Sequence, residues 1–280
     1  MKILRTVSEL RSWSRAARLT GKSVGLVPTM GALHAGHASL IRAAEASCQQ
    51  VAVSIFVNPT QFGPNEDFAR YPRTFDADCA LAESAGATAV FAPSVDELYP
   101  RAAATFVEVE GLSNRLDGLS RPGHFRGVAT VVAKLLIAAE PDRAFFGQKD
   151  AAQVAVLRRM ALDLLLASEI VVCPIVREVD GLALSSRNIF LSPTERTQAL
   201  CLSRVVRKVE SLFASGERNA SALLSAARVV FAAEPAIRID YIELVDWANL
   251  ESQASANSGS LFAVAAWVGD TRLIDNTILI

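Results

Sequence analysis

From the amino terminus to Val176, apolar runs of strand length alternate with stretches whose apolar residues recur at helical spacing. Ser23–Val27 reads as a strand, followed by a turn rich in Gly and His and a helix over Ala35–Gln49. Val51–Val57 is an apolar run of strand length, the pattern of a strand covered on both faces. A helix over Asp76–Ser84 ends at Gly86, and Ala89–Ala92 is a short strand. Arg126–Ala139 gathers Val128, Val131, Val132, Leu135, Leu136 and Ala139 on one helical face. Arg143–Phe146 is a further strand, Gln153–Leu166 a helix and Ile170–Val176 a strand. Such alternation predicts an α/β fold, a doubly wound parallel sheet wrapped by helices.

The pattern changes after Ser192. Helices at 193–214 and 219–233 come first, and strands at Ile239–Val245, Leu261–Val268 and Arg272–Ile278 follow. Helices before strands predict a separate, smaller α+β domain. The division is placed at 1–176 and 177–280, within the stretch between Val176 and Ser192. Two helix starts carry capping boxes, Thr6 with Glu9 and Ser192 with Pro193 and Glu195. Glu251–Ser260, rich in Ser, Asn and Ala, reads as a surface loop.

Composition narrows the function classes. The chain has 280 residues, 51% of them hydrophobic, enough for a sizeable core. A formal net charge of -1 and a pI near 6.3 give no electrostatic reason to expect nucleic acid or an anionic membrane as partner. No apolar run is long enough to span a bilayer, and MKILRTVSEL lacks the apolar stretch of a secretory signal, so a cytoplasmic protein is expected. Cys48, Cys79, Cys173 and Cys201 are scattered without a CxxC pair, the pattern of buried free thiols.

Polar chemistry collects where predicted strands end. Two of the three histidines sit in Val27-Pro28-Thr29-Met30-Gly31-Ala32-Leu33-His34-Ala35-Gly36-His37, between a strand and a helix. In an open α/β sheet ligands bind at that junction. Gly31 and Gly36 permit close backbone approach, and a helix start offers N–H groups to a phosphate. His34 and His37 share a face if they fall on the first turn, and can then hydrogen-bond phosphate oxygens. Equally, one can cap the helix while the other packs.

Phe145-Phe146-Gly147-Gln148-Lys149-Asp150 repeats the strand–glycine–helix arrangement. Lys149 suits a triphosphate or an acyl phosphate anhydride, and Asp150 suits ribose hydroxyls; an exposed Lys–Asp pair is the plainer alternative. Leu184-Ser185-Ser186-Arg187-Asn188 is either an anion clamp or a polar linker. Asn58 and Gln61, in Val57-Asn58-Pro59-Thr60-Gln61-Phe62, can orient a hydroxy acid or merely turn the chain. His124 lies just before a helix and either packs or lines the cleft. These segments follow strands of one predicted sheet and should converge on one cleft.

The chain resembles the pantothenate synthetases of the HxGH nucleotidyltransferase superfamily. The likeness is carried by PTMGALHAGHASL, SIFVNPTQFGPNEDFARYPRT, RPGHFRGVATVVAKLL, FFGQKDAAQ, REVDGLALSSRN and WVGDTRLIDN, in that order. It implies a Rossmann-like amino-terminal domain with a smaller carboxyl-terminal lid, usually in a homodimer. It also implies the ATP-dependent joining of pantoate and β-alanine through a pantoyl adenylate. By position, Met30, Gly31, Ala32, Leu33, His34, Ala35, Gly36 and His37 would line the ATP site, with His34, His37 and Lys149 acting on the phosphates. Gly147, Gln148, Lys149 and Asp150 would contact the nucleotide, Val176 the adenine, and Leu184, Ser185, Ser186 and Arg187 would close over the phosphates. Gln61 and Gln153 would hold pantoate, Gln61 also β-alanine. Mg²⁺ would ride mainly on ATP oxygens, with Asp78 its candidate protein partner in the outer shell. The chain departs from the family pattern at Gln148, where Glu is common, at Thr60, where Met or Leu is common, and at Ala151 and Ala152, where larger residues are.

Overall fold

The structure, a computed structural model, describes every residue except Asn65, which falls inside one of the segments that carry the family likeness. In chain order the first unit runs β1 (Lys2–Leu4), α1 (Val7–Leu19), β2 (Val24–Thr29), α2 (Ala35–Glu45), β3 (Gln50–Ile55), α3 (Phe75–Ser84), β4 (Ala89–Phe91) and α4 (Val95–Leu98). It continues through α5 (Asp117–Ser120), α6 (His124–Ala139), β5 (Arg143–Gly147), α7 (Ala151–Asp163) and β6 (Glu169–Cys173). All six strands are parallel, in the order β1-β4-β3-β2-β5-β6. The doubly wound α/β sheet expected from the alternation is present.

That order places the site. From β2 the chain moves through β3 to β4 on one side of the sheet, whereas β5 and β6 build on the other side of β2. Neighbours β2 and β5, paired at Gly25–Arg143 and Leu26–Ala144, flank the point where the winding reverses. Connections leaving their carboxyl ends diverge and open a crevice there. The histidine segment leaves β2 and the lysine segment leaves β5, so the two face each other across it.

Most element boundaries lie within a few residues of their expected places. The helix expected over Ala35–Gln49 stops at Glu45, and the strand expected over Ile170–Val176 stops at Cys173. Pro174 follows, and it has no N–H to continue a ladder. The helix expected from Gln153 starts at Ala151 and ends at Asp163, shortly before Leu165, which takes a positive φ of 53°. Sequence reading missed β1, whose three residues are too few to show a period; it pairs with β4 at the sheet edge. Both capping boxes form, Thr6 with Glu9 and Ser192 with Glu195. All four cysteines are free thiols, and Cys79 alone among them is not buried.

The second unit packs α8 (Pro193–Ala214) and α9 (Ala220–Ala232) against an antiparallel sheet of β7 (Ile237–Asp246), β8 (Ser260–Val268) and β9 (Thr271–Ile278), in that order. β8 is buried along nearly its whole length, as a strand covered on both faces must be. One face meets α8 and α9 through Phe262, Val264 and Ala266. The other sends Leu261 and Ala263, with Val245 and Leu250, into the core that includes α6 and α7.

Candidate active site

The turn after β2 is wound tightly. Gly31 has φ of 83° and Ala32 of 50°, left-handed conformations that cost an alanine energy. Asp78 on α3 compensates: its carboxylate accepts the Ala32 N–H at 3.0 Å and the Leu33 N–H at 2.8 Å. Thr74 donates to the same carboxylate at 3.0 Å. A Cβ at position 31 would sit 3.0 Å from the Asp78 oxygen. Asp78 is 2% exposed and does not line the cleft. Its oxygens hold backbone.

The turn delivers both histidines to the start of α2, where they form a reciprocal cap. His34 Nδ1 accepts the Gly36 N–H at 3.1 Å, and His37 Nδ1 accepts the His34 N–H at 3.3 Å. The ring centroids are 4.2 Å apart. An acceptor nitrogen carries no proton, so each neutral ring keeps its hydrogen on Nε2. Burial, aided by the charge of Lys149, lowers the His34 pKa to about 4. Burial, His34 and Lys149 lower that of His37 to about 3. The capping reading holds, and because it uses only Nδ1 it leaves each Nε2–H outside the cap.

Lys149 stands in a single 3-10 turn between β5 and α7, its Nζ 2.9 Å from Asp150 Oδ1. Burial works against ionisation of Asp150, but Lys149 and Arg187 hold its pKa below the ordinary carboxylate value. His34, His37, Lys149 and Asp150 line one recess, together with Met30, Gly36, Gln61, Gly147, Gln153, Val176 and Leu184–Arg187. Gly31, Ala32, Leu33 and Ala35 do not line it, nor does Gln148. Gln148 turns its amide to Asn276 of β9 at 3.3 Å. The recess opens into a broader cleft beneath the second unit, bordered by Trp267 and Arg272, with Lys149, Asp150, Gln153 and Arg187 at the junction.

Gln61 is held at both ends. Its Oε1 accepts from Asn58 Nδ2 at 3.0 Å and its Nε2 approaches Met30 Sδ at 3.0 Å. Asn58 is 1% exposed; its Oδ1 also accepts from Thr60 and Tyr99, both at 2.9 Å, and its Nδ2 donates to the Gly127 carbonyl. The Thr60 hydroxyl is thus satisfied inside this network. His124 does pack, and it lines the cleft as well. The guanidinium of Arg121 can only donate, so His124 Nε2 accepts at 3.1 Å and Nδ1–H donates to the Gln61 carbonyl at 2.9 Å. Burial and Arg121 lower the His124 pKa to about 4. Leu40, Phe56, Val131, Leu135 and Phe146 add apolar lining to the same recess.

Sequence reading did not find Arg121, Tyr99 or Asn276 as parts of this site. Arg121 and Tyr99 come from connecting segments and Asn276 from the far end of the chain, so no local pattern announces them.

A doubly wound parallel sheet with imidazoles and an ammonium gathered at its switch point places the chain among the α/β proteins that bind a ligand outside the carboxyl ends of their strands. Residues 2–278 match the model of the pantoate-beta-alanine ligase family, and the chain belongs to that family. It is 58% identical to the pantothenate synthetase of Acidobacterium capsulatum, over all of this chain and 97% of that one. With the pantothenate synthetase of Koribacter versatilis it shares 55% identity, over all of this chain and 96% of the other. A crystal structure of the Thermus thermophilus pantothenate synthetase superposes with a TM-score of 0.94 at 45% identity, covering 99% of each chain. The Francisella tularensis pantoate-beta-alanine ligase, solved with beta-gamma ATP and β-alanine, gives 0.81 at 33% identity, covering 99% of this chain and 97% of that one.

Proposed function

We propose that this enzyme condenses pantoate with β-alanine at the expense of ATP, giving pantothenate, AMP and pyrophosphate. The observation that carries the reading is the presence of His34, His37 and Lys149 around one recess that Gln61 and Gln153 also line. A pantoate carboxylate oxygen attacks the α-phosphorus, and the bond to the bridging oxygen of pyrophosphate breaks. Negative charge grows on the departing group, where the two Nε2–H donors and the Lys149 ammonium stabilise it. Neutral imidazoles suit this role, since they donate without needing a proton from solution. The β-alanine amine then attacks the acyl carbon of the adenylate, AMP leaves, and nitrogen releases its proton. No side chain becomes acylated.

Gln61 and Gln153 hold pantoate in this reading, and the apolar side chains that line the same recess receive the methyl groups of the acid. Gln61 also adjoins β-alanine; Asp150 meets the ribose, Val176 the adenine, and Leu184 to Arg187 the phosphates. Among the described residues no three His, Cys, Asp or Glu side chains converge as metal ligands. In this reading Mg²⁺ enters mainly on nucleotide oxygens and water, with Asp78 its candidate protein partner in the outer shell. A cytoplasmic homodimer completes the reading and rests on the family likeness alone. Among the described residues, no helix is long and apolar enough to cross a membrane.

Purified protein given ATP, Mg²⁺, pantoate and β-alanine should form AMP and pantothenate in equal amounts. His37→Ala and Lys149→Ala should each lower pantoate-dependent pyrophosphate release at least ~10²-fold, the scale of losing a transition-state donor. Near-normal release in either variant would overturn the roles. ATP consumption that ignores pantoate would overturn the reaction.

A further inference from the structure

Lys149 lies in the first unit, yet the turn that carries it is fastened from the second. Asn276 of β9 is 3% exposed, and its Nδ2 donates to the carbonyls of Gln148 at 3.0 Å and Lys149 at 2.9 Å. Its Oδ1 accepts from Gln148 Nε2 at 3.3 Å. Two carbonyl oxygens can face only a donor, so the orientation of this amide is fixed by its partners. Three hydrogen bonds from one buried side chain thus span the two residues that set the direction of the Lys149 stem. Gln148–Asp150 is itself a single short 3-10 turn between β5 and α7, with little internal bonding to hold its shape.

The adjacent residue does similar work on a second segment. Asp275, 2% exposed, takes the Arg177 guanidinium through both oxygens at 2.6 and 2.9 Å, and also accepts the Asn276 N–H at 2.8 Å. Arg177 directly follows Val176, at the start of the stretch that leads to Leu184–Arg187. Two consecutive residues of β9 therefore grip both phosphate-facing segments that come from the β5 and β6 side of the crevice.

We propose that Asn276 is a positioning residue for adenylation, holding the Lys149 ammonium on the phosphates through the backbone of residues 148 and 149. The proposal rests on the role given to Lys149 above. A lysine side chain has several rotatable bonds and costs entropy to localise; a clamped backbone removes part of that search before substrate arrives. Asn276 itself does not line the recess and touches no reacting atom.

The test is a double-mutant cycle on pyrophosphate release, with Asn276→Asp and Asn276→Ala placed in the unaltered enzyme and in Lys149→Ala. Asn276→Asp keeps the shape but turns an acceptor toward two carbonyls; Asn276→Ala leaves the carbonyls without a partner. In the unaltered enzyme each should lower kcat at least ~10-fold, with the pantoate KM changed less than ~3-fold, since Gln61 and the apolar lining are untouched. In the Lys149→Ala background neither should lower it further, because the group being positioned is gone. Amide exchange of residues 147–150 should quicken in both variants, a readout that needs no turnover. Unchanged kcat, or a full additive loss on top of Lys149→Ala, overturns the positioning role. Should one variant fail to fold, the other carries the cycle. If the unaltered enzyme releases no pantoate-dependent pyrophosphate, the proposed function fails, while the exchange measurement still decides whether Asn276 orders the turn.

Discussion

Every histidine of this chain is held neutral, in two different arrangements. His34 and His37 give their Nδ1 lone pairs to the backbone of α2, whereas His124 accepts from Arg121 and donates to Gln61. Burial is the leading cause at all three, moving the pKa to about 4 at His34 and His124 and about 3 at His37. An unfolded chain titrates its histidines near ~6.5. Between these values the unfolded state binds protons that the folded state refuses. Stability supplied by these residues is therefore complete above about pH 6.5 and declines as pH falls toward about 4. Imidazole C–H resonances of the native enzyme should stay flat from pH 8 to about 5, and unfolding at about pH 5.5 should take up roughly two to three protons at histidine. A native resonance titrating near ~6.5 would show that its ring is solvated, and that its bare nitrogen is not held as an acceptor.

Elements turn these side chains into a site by close approach. At Gly127 the helix α6 runs so near the turn at Pro59–Gln61 that an added Cβ would lie 2.3 Å from the Thr60 carbonyl oxygen and 2.6 Å from Gln61 Cα. Backbone stands on the far side of that gap, so no side chain can swing away. Gly127→Ala should push the turn off the helix, costing about 1–3 kcal/mol of stability as overpacking does. It should also raise the pantoate KM more than the ATP KM, because Gln61 moves while the histidine cap does not. Steady-state kinetics with each substrate varied in turn would check this. Equal changes in both constants would mean that α6 does not set the Gln61 position. Helical periodicity found α6 readily; it could not show that Gly127 is the point of contact, since a glycine on a helix face looks the same whether it meets solvent or backbone.

Across the whole molecule the two units are joined by partly buried charge as well as apolar surface. Arg272 of β9 bonds Asp117 of α5 at 2.7 Å and Asp240 of β7 at 2.7 Å, while Tyr241 donates to Asp117 at 3.2 Å. Burial opposes the charge on Arg272, but the two carboxylates outweigh it and raise its pKa. Arg272→Ala would leave Asp117 and Asp240 facing each other without a counter-charge, and removing one partner of such a set costs about 3–5 kcal/mol. Chemical denaturation should register that loss, and Arg272→Lys should recover only part of it, since one ammonium cannot reproduce the forked geometry. A loss under about 1 kcal/mol would mean that water reaches the cluster and screens it.

Much of this protein was legible one residue at a time. Alternating strand and helix periods specified the doubly wound sheet, both capping boxes marked helix starts, and Gly31, His34, His37 and Lys149 stood at strand ends where ligands bind. Those features depend on neighbours within a few positions, which the chain displays in order. Strand order, the fastening of Lys149 by Asn276, and the bonds from Asp78 to the backbone after β2 came only from the tertiary structure. Asp78 bonds the Leu33 N–H from 45 residues away, and Asn276 reaches the Lys149 carbonyl across 127. Partners at such separations are chosen by packing and by the need of buried polar groups for hydrogen bonds, and neither leaves a periodic trace in the sequence.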